Sequence, residues 1–195
     1  CLMARIIALP YGFLSSVSYL VVTSEKTILI DPTAPLRYWP GDVADLSLIL
    51  ATHGHFDHIM RADKWRQAHQ APLAIHEADA DCLADGKKNL STMLVRPLRQ
   101  RPAEQLLADG DLLDVSSQVQ LGVLHTPGHS AGSCCFLLLE DGQPKALFSG
   151  DTIFAGSIGR TDLGGDETVL AASLRRLADL ADSLGAVGAG VLHGD

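Results

Sequence analysis

The 195 residues carry a formal charge of −8, with 47% hydrophobic and 19% charged residues, a globular balance and not that of a disordered chain. No Lys/Arg stripe is present to release counterions from a phosphate backbone, and no stretch approaches the roughly eighteen apolar residues of a membrane span. Nucleic acid and membrane are therefore not expected as partners, and the length suits one domain over residues 1–195. The four cysteines, Cys1, Cys82, Cys134 and Cys135, suggest no disulfide framework, so a cytoplasmic setting is expected. Cys1 runs into the first apolar segment without a tether, and neither a lipid anchor nor a cleavable leader is expected.

In chain order, short apolar runs at Arg5 to Leu9, Val17 to Thr23, Thr27 to Asp31 and Leu46 to Ala51 read as strands. The polar connection Ser24 to Lys26 has hairpin length, which makes the second and third runs antiparallel neighbours. From Ile59 to Gln70 the apolar residues recur at three and four, predicting a helix that Pro72 ends before a strand at Leu73 to His76. The middle, Glu77 to Leu113, is mixed, with a short helix through Ala78 to Leu83. The following stretch at Gly86, Lys87 and Lys88 is where a lid or substrate loop is expected. Strands resume at Val119 to Leu124, Cys134 to Leu139 and Lys145 to Phe148, with Asp141-Gly142 as the turn between the last two. Alternation within the Cys134 run reads Cys134 and Cys135 as small buried hydrophobes. A second amphipathic helix spans Thr168 to Leu184, with Leu170, Leu174, Leu177, Ala178 and Ala181 on its apolar side, and Val187 to Leu192 forms a last strand. Two strand blocks each followed by helices imply an α/β sandwich of two sheets with helices outside and a single core between the sheets.

The segment Thr52-His-Gly-His-Phe-Asp-His58, directly after a strand, carries the chemistry. Neutral imidazole and carboxylate are the ligands that zinc and similar borderline cations take, and a strand end is a stiff place from which to aim them. His53 and His55, two apart in an extended segment, point to one side and can share a cation. Asp57 and His58 suit a second cation a few ångströms away. His129, in Thr-Pro-Gly-His-Ser, can complete the first site and His193 the second, with Asp151, in Ser-Gly-Asp-Thr, between them. Each of these residues follows an apolar strand-like run, so loops at one edge of a sandwich would bring them together.

Other polar residues invite plainer readings. His76 and His125 read as structural or ligand-supporting histidines rather than ligands. His69, near a helix end, reads as a surface cation. Asp31 is open between a turn residue before Pro32 and a hydrogen-bond partner of a ligating histidine. Arg160 and Asp162 read as a pair that shapes the loop after Asp151.

The pattern His-x-His-x-Asp-His, then His, Asp and His resembles that of the metallo-β-lactamase superfamily. Asp151 followed by Gly159-Arg160-Thr161-Asp162-Leu163-Gly164-Gly165 is similar to its glyoxalase II-like branch, relatives of hydroxyacylglutathione hydrolase. The resemblance spans essentially the whole chain. It implies a four-layered αββα sandwich and two zinc ions, with iron or manganese as other occupants, held by His53, His55, Asp57, His58, His129, Asp151 and His193. A zinc-bridged hydroxide would then attack a small anionic thioester such as S-lactoylglutathione, with Asp57 orienting it. The closing Val191-Leu192-His193-Gly194-Asp195 is two residues shorter than the branch's usual form. The helical domain that grips glutathione in larger glyoxalase II enzymes has no counterpart in the sequence, so the resemblance does not imply the thiol half of the substrate. Two alternatives stay open: a mononuclear iron persulfide dioxygenase using His53, His129 and Asp151, and a non-catalytic metal-binding scaffold or sensor. A β-lactam, a lactone and a phosphodiester are further substrates to weigh, the β-lactam least, since two-zinc lactamases commonly have Cys where Asp151 stands.

Overall fold

The computed structural model describes residues 4–9, 14, 16–183 and 190–192, the last three through their backbone alone. A first sheet holds six strands in sequence order: β1 (Arg5–Leu9), β2 (Ser18–Val22), β3 (Thr27–Ile30), β4 (Leu46–Leu50), β5 (Leu73–His76) and β6 (Gln105–Leu107). β1 to β3 form an antiparallel meander, and β3 to β6 run parallel. The predicted β2–β3 hairpin is present, with Tyr19 opposite Ile30 and the Thr23 amide bonded to the Lys26 carbonyl at 2.9 Å.

The second sheet contains β7 (Leu112–Asp114), β8 (Val119–His125), β9 (Cys134–Glu140), β10 (Gln143–Phe148) and, beyond a small hairpin of β11 (Ile153–Phe154) and β12 (Ser157–Ile158), β13 (Gly190–Leu192). Its order is β13-β10-β9-β8-β7, with β13 parallel to β10 and Leu192 opposite Phe148. At the β9–β10 turn Asp141 and Gly142 both have positive φ, 50° and 74°, as a two-residue type I′ turn requires.

Where a single core was expected, the described residues form two. Val21, Ile28, Ile30 and Leu50 from the first sheet meet Val119, Leu121, Val123 and Phe136 from the second, closing the space between the sheets. On the other face, Leu20, Leu29 and Ile49 pack with Ile59, Ala62 and Trp65. The inner strands of the first sheet pack on both faces, so Ile28, Leu29 and Ile30 in β3 and Leu48, Ile49 and Leu50 in β4 read as unbroken apolar runs, whereas Val119, Leu121 and Val123 in β8 alternate with less buried neighbours.

The residues facing that second core belong to α1 (Phe56–Ile59) and α2 (Ala62–His69). The predicted helix Ile59 to Gln70 is thus two helices, starting three residues earlier and broken at Met60-Arg61. There the Arg61 amide bonds the Pro32 carbonyl at 3.0 Å and its guanidinium bonds the Thr33 carbonyl. α2 ends at Gln70, whose left-handed φ of 57° stops it two residues before Pro72. His69 is not a free surface cation: its ring stacks on Trp65 and tilts against Trp39, and burial lowers its pKa.

α3 (Glu167–Ser183) docks on the connection after β8. Its buried residues are Leu170, Ser173 and Leu177, with Ala178 and Ala181 exposed, so the buried stripe is rotated from the predicted one. Ser173 Oγ donates to the Pro127 carbonyl at 2.7 Å, which accounts for a hydroxyl in that stripe. No described helix is long and apolar enough to cross a membrane.

Candidate metal centre

The parallel strands β3, β4 and β5 deliver the loops that begin at Asp31, Thr52 and Glu77, while β8 and β10 deliver those carrying His129 and Asp151. These loops meet where the two sheets join: the Cys134 amide bonds the Thr52 carbonyl at 2.8 Å, and Thr126 Oγ1 lies 3.0 Å from Thr152 Oγ1. Two overlapping triads result, His53 with His55 and His129, and His53 with His58 and Asp151, each with ligand atoms within 4.8 Å of one another. Asp57 stands at their rim, its Oδ2 3.8 Å from His58 Nε2. His193, the remaining residue of the predicted set, lies outside the described residues. His76 and His125 stay out of the cluster; their rings stack on each other at 3.9 Å.

Hydrogen bonds fix which nitrogen of each ring faces inward. The Asp31 carboxylate only accepts, so His58 Nδ1–H donates to its Oδ2 at 2.8 Å, and the Thr52 hydroxyl donates to the same oxygen at 2.8 Å. With its proton so placed, Thr52 Oγ1 accepts from His53 Nδ1–H at 3.1 Å. His129 Nδ1–H donates to the Arg160 carbonyl at 2.8 Å. All three Nδ1 atoms therefore carry protons, and all three Nε2 atoms face into the site, the orientation a ligating histidine needs. Asp31 thus supports a candidate ligand, which resolves its open reading. Its positive φ of 54° suits an aspartate better than a branched residue.

The inward atoms are short of partners. His53 Nε2, His129 Nε2 and Asp151 Oδ1 are buried without a hydrogen bond, though His129 Nε2 is 3.4 Å from Asp151 Oδ2 and His58 Nε2 is 3.0 Å from Asp151 Oδ1. Buried polar atoms left this way cost free energy, and a cation drawing on imidazole and carboxylate lone pairs would satisfy them. The residues present therefore fit divalent metal.

Electrostatics divide the cluster. Burial lowers the pKa of His53 well below 6.5, helped by repulsion from His58, His55 and His129, and the same causes bring His55 to about 3. These imidazoles stay neutral, as ligands must. Burial also opposes charge on His58, but Asp151 and Asp31 outweigh it and raise its pKa well above 6.5. For Asp151, burial is overcome by His58 and His129, which hold the carboxyl at about 2. Burial raises Asp57, with Asp151 adding to the shift.

Sequence reasoning missed two buried residues behind the ligands. Asp79, in the 3₁₀ turn Glu77–Leu83, accepts hydrogen bonds from the Gly54 amide at 2.8 Å, the Ser130 hydroxyl at 2.7 Å and the Gly132 amide at 2.7 Å. Asn89 accepts the Phe56 amide through its carbonyl at 2.9 Å and spends its side-chain amide on the Cys82 and Leu98 carbonyls. The stretch expected as a lid is thus tied to the back of the metal motif. Its groove, lined by Asp81, Lys88, Arg99 and Leu106, contains none of the candidate ligands. Arg160 and Asp162 form the expected pair, which the structure shows to be bidentate at 2.7 and 2.6 Å, and Cys82, Cys134 and Cys135 are buried free thiols.

Relatives share this frame. The chain is 31% identical over 179 residues to the "Probable metallo-hydrolase YqgX" of Bacillus subtilis, covering 88% of this chain and 83% of that protein. It is 32% identical over 177 residues to the bovine "Acyl-coenzyme A thioesterase MBLAC2", covering 72% and 59%. Among solved structures, BLEG-1, a B3 metallo-beta-lactamase, superposes with a TM-score of 0.78 at 32% identity, covering 88% of this chain and 84% of that one. TTHA1623 in a di-iron-bound form gives 0.76 at 31%, covering 97% and 91%. The family model of the metallo-beta-lactamase superfamily matches residues 11–187, and the chain belongs to that superfamily.

Proposed function

We propose that this chain is a metal-dependent hydrolase that cleaves a small thioester, of the S-lactoylglutathione or acyl-coenzyme A kind, at a centre for two divalent cations. The observation that carries the reading is the pair of triads sharing His53, with the buried inward atoms His53 Nε2, His129 Nε2 and Asp151 Oδ1 left without hydrogen bonds. His53, His55 and His129 would hold one cation, and Asp57, His58 and, from the motif, His193 the other, with Asp151 reaching both. When bound, a divalent pair supplies Lewis acidity toward a carbonyl oxygen and makes hydroxide available near neutral pH.

The chain's own contribution is orientation and proton handling. Anchored Nδ1 atoms keep the Nε2 edges of the rings aimed before any ligand arrives, so little reorganisation is required. Asp57 Oδ2 stands at the partly open rim, 3.8 Å from His58 Nε2, suited to orient the attacking water. A thiolate leaves readily, so no stronger acid is needed, and the likeness to MBLAC2 supports this substrate class. The likeness to BLEG-1 brings a β-lactam into the test panel, and the di-iron form of TTHA1623 brings iron.

The experiment strips the protein with a chelator, reloads it with Zn(II) or Fe(II), counts metal per chain and assays each form. The panel is S-lactoylglutathione, an acyl-coenzyme A, a β-lactam, a lactone and glutathione persulfide under oxygen. Thiol release that needs metal and stops with chelator is expected. Oxygen uptake on persulfide with one iron per chain, or turnover indifferent to chelator, would overturn the assignment.

A further inference from the structure

We infer that Asp79 is a positioning residue for the His53, His55 and His129 triad, a carboxylate clasp that fixes the spacing of the two loops bearing these ligands; the inference rests on the two-cation reading above. One side chain bonds both loops. Oδ2 accepts the amide of Gly54, the residue between His53 and His55, and the hydroxyl of Ser130, which follows His129, while Oδ1 accepts the Gly132 amide. A carboxylate cannot donate, so Ser130 spends its proton on Asp79 and accepts from Ser133 Oγ at 2.7 Å.

The fit around the clasp leaves no slack. A Cβ on Gly132 would stand 2.6 Å from the Asp79 nitrogen and 2.7 Å from its Cβ, and one on Gly54 would stand 2.3 Å from Cys82 Cβ. The turn Glu77–Leu83 is therefore wedged between two backbones that approach it bare. Asp79 is 2% exposed and Gly54 and Gly132 are buried, so bulk water does not compete for these bonds. The His55 and His129 rings lie 4.5 Å apart between centroids, across the gap that the clasp spans. Asp31 plays the matching part for His58, so each triad has its own buried carboxylate.

The test is stepwise Zn(II) binding to the stripped full chain by chelator competition, with Co(II) absorption as a second readout of ligand geometry. Asp79→Asn keeps size and one acceptor but turns an amide donor toward Gly54 N–H or Gly132 N–H. One binding step is expected to weaken by about 10–100-fold, the range for residues that support metal ligands, with an altered Co(II) band, while the other step holds within about threefold. Leu121→Ala, in the core between the sheets, is the control that lowers urea stability without moving either step. Should Asp79→Asn not fold, Ser130→Ala removes one of the three bonds and is expected to weaken the same step several-fold. Equal loss in both steps, or loss in neither, overturns the positioning role while leaving the metal reading intact. A wild-type chain that takes up no cation defeats both.

Discussion

Replacing Asp31 by Asn removes a charge and reverses one hydrogen-bonding edge without changing size. The backbone tolerates it, since Asn accepts the left-handed φ of 54° at this position. In the native site Oδ1 takes the Thr52 amide at 2.7 Å, and Oδ2 takes both the Thr52 hydroxyl and His58 Nδ1–H at 2.8 Å. If the new amide keeps its oxygen on the Thr52 amide, its NH2 faces His58 Nδ1, which must give up its proton. The neutral ring then keeps its proton on Nε2, and the lone pair that a cation would draw on is turned away from the site. Cation affinity at that ligand set should then fall about 10–100-fold, or about 1.4–2.7 kcal/mol. If the amide flips, His58 keeps its tautomer but the buried Thr52 N–H meets another donor, which costs about 1–3 kcal/mol of stability. Chelator-competition titration reads the first outcome and urea unfolding of the stripped protein the second. A variant with wild-type affinity and wild-type stability would refute the tautomer argument.

Three further outcomes are expected. The depressed pKa of His55 means that its stabilising contribution is present above the unfolded value of 6.5 and is lost as pH falls toward about 3; at pH 5 this amounts to about 2 kcal/mol for the stripped protein. His58 acts in the opposite sense, contributing below 6.5 and losing that contribution as pH rises through its raised folded value. His55→Gln should therefore flatten the acid limb of a urea-midpoint profile, and an unchanged limb would count against the buried neutral imidazole. Trp65→Ala removes a fully buried ring whose Nε1–H bonds the Ala34 carbonyl at 2.9 Å, and should cost about 3–5 kcal/mol in urea unfolding. Gly128→Ala places a Cβ 2.4 Å from the Leu170 backbone at a φ of 134°, so α3 must shift away from the His129 loop. A thermal midpoint equal to wild type would show that this approach is not as close as described.

Much of the site was legible in the sequence because strand ends carry it: Thr52 to His58, His129 and Asp151 each follow an apolar run, and the structure brings them to one rim. Asp79 left no such trace. It lies in Glu77-Ala78-Asp79-Ala80-Asp81, where it looks like any solvated acid, and its burial depends on Gly54 and Ser130, tens of residues away. β6 and β7 are three residues each, too short for a period to be counted. The α3 stripe was misplaced because it packs on a loop with a free carbonyl and not on a flat apolar face, so Ser173 is buried where Ala178 was expected. The second core went unread because periodicity reports that a run such as Leu46 to Leu50 is apolar, but not that each face meets a different layer.

The candidate ligands come from both halves of the sandwich. His53, His55 and His58 belong to the first sheet's loops, His129 and Asp151 to the second's. A cation seated among them would act as a rivet through the seam, closing a chain loop as a crosslink does, and for loops this long that constraint is worth about 4 kcal/mol in chain entropy. Metal supply would then set the rigidity of the whole molecule, and a cell short of the ion would hold a looser protein as well as an idle one.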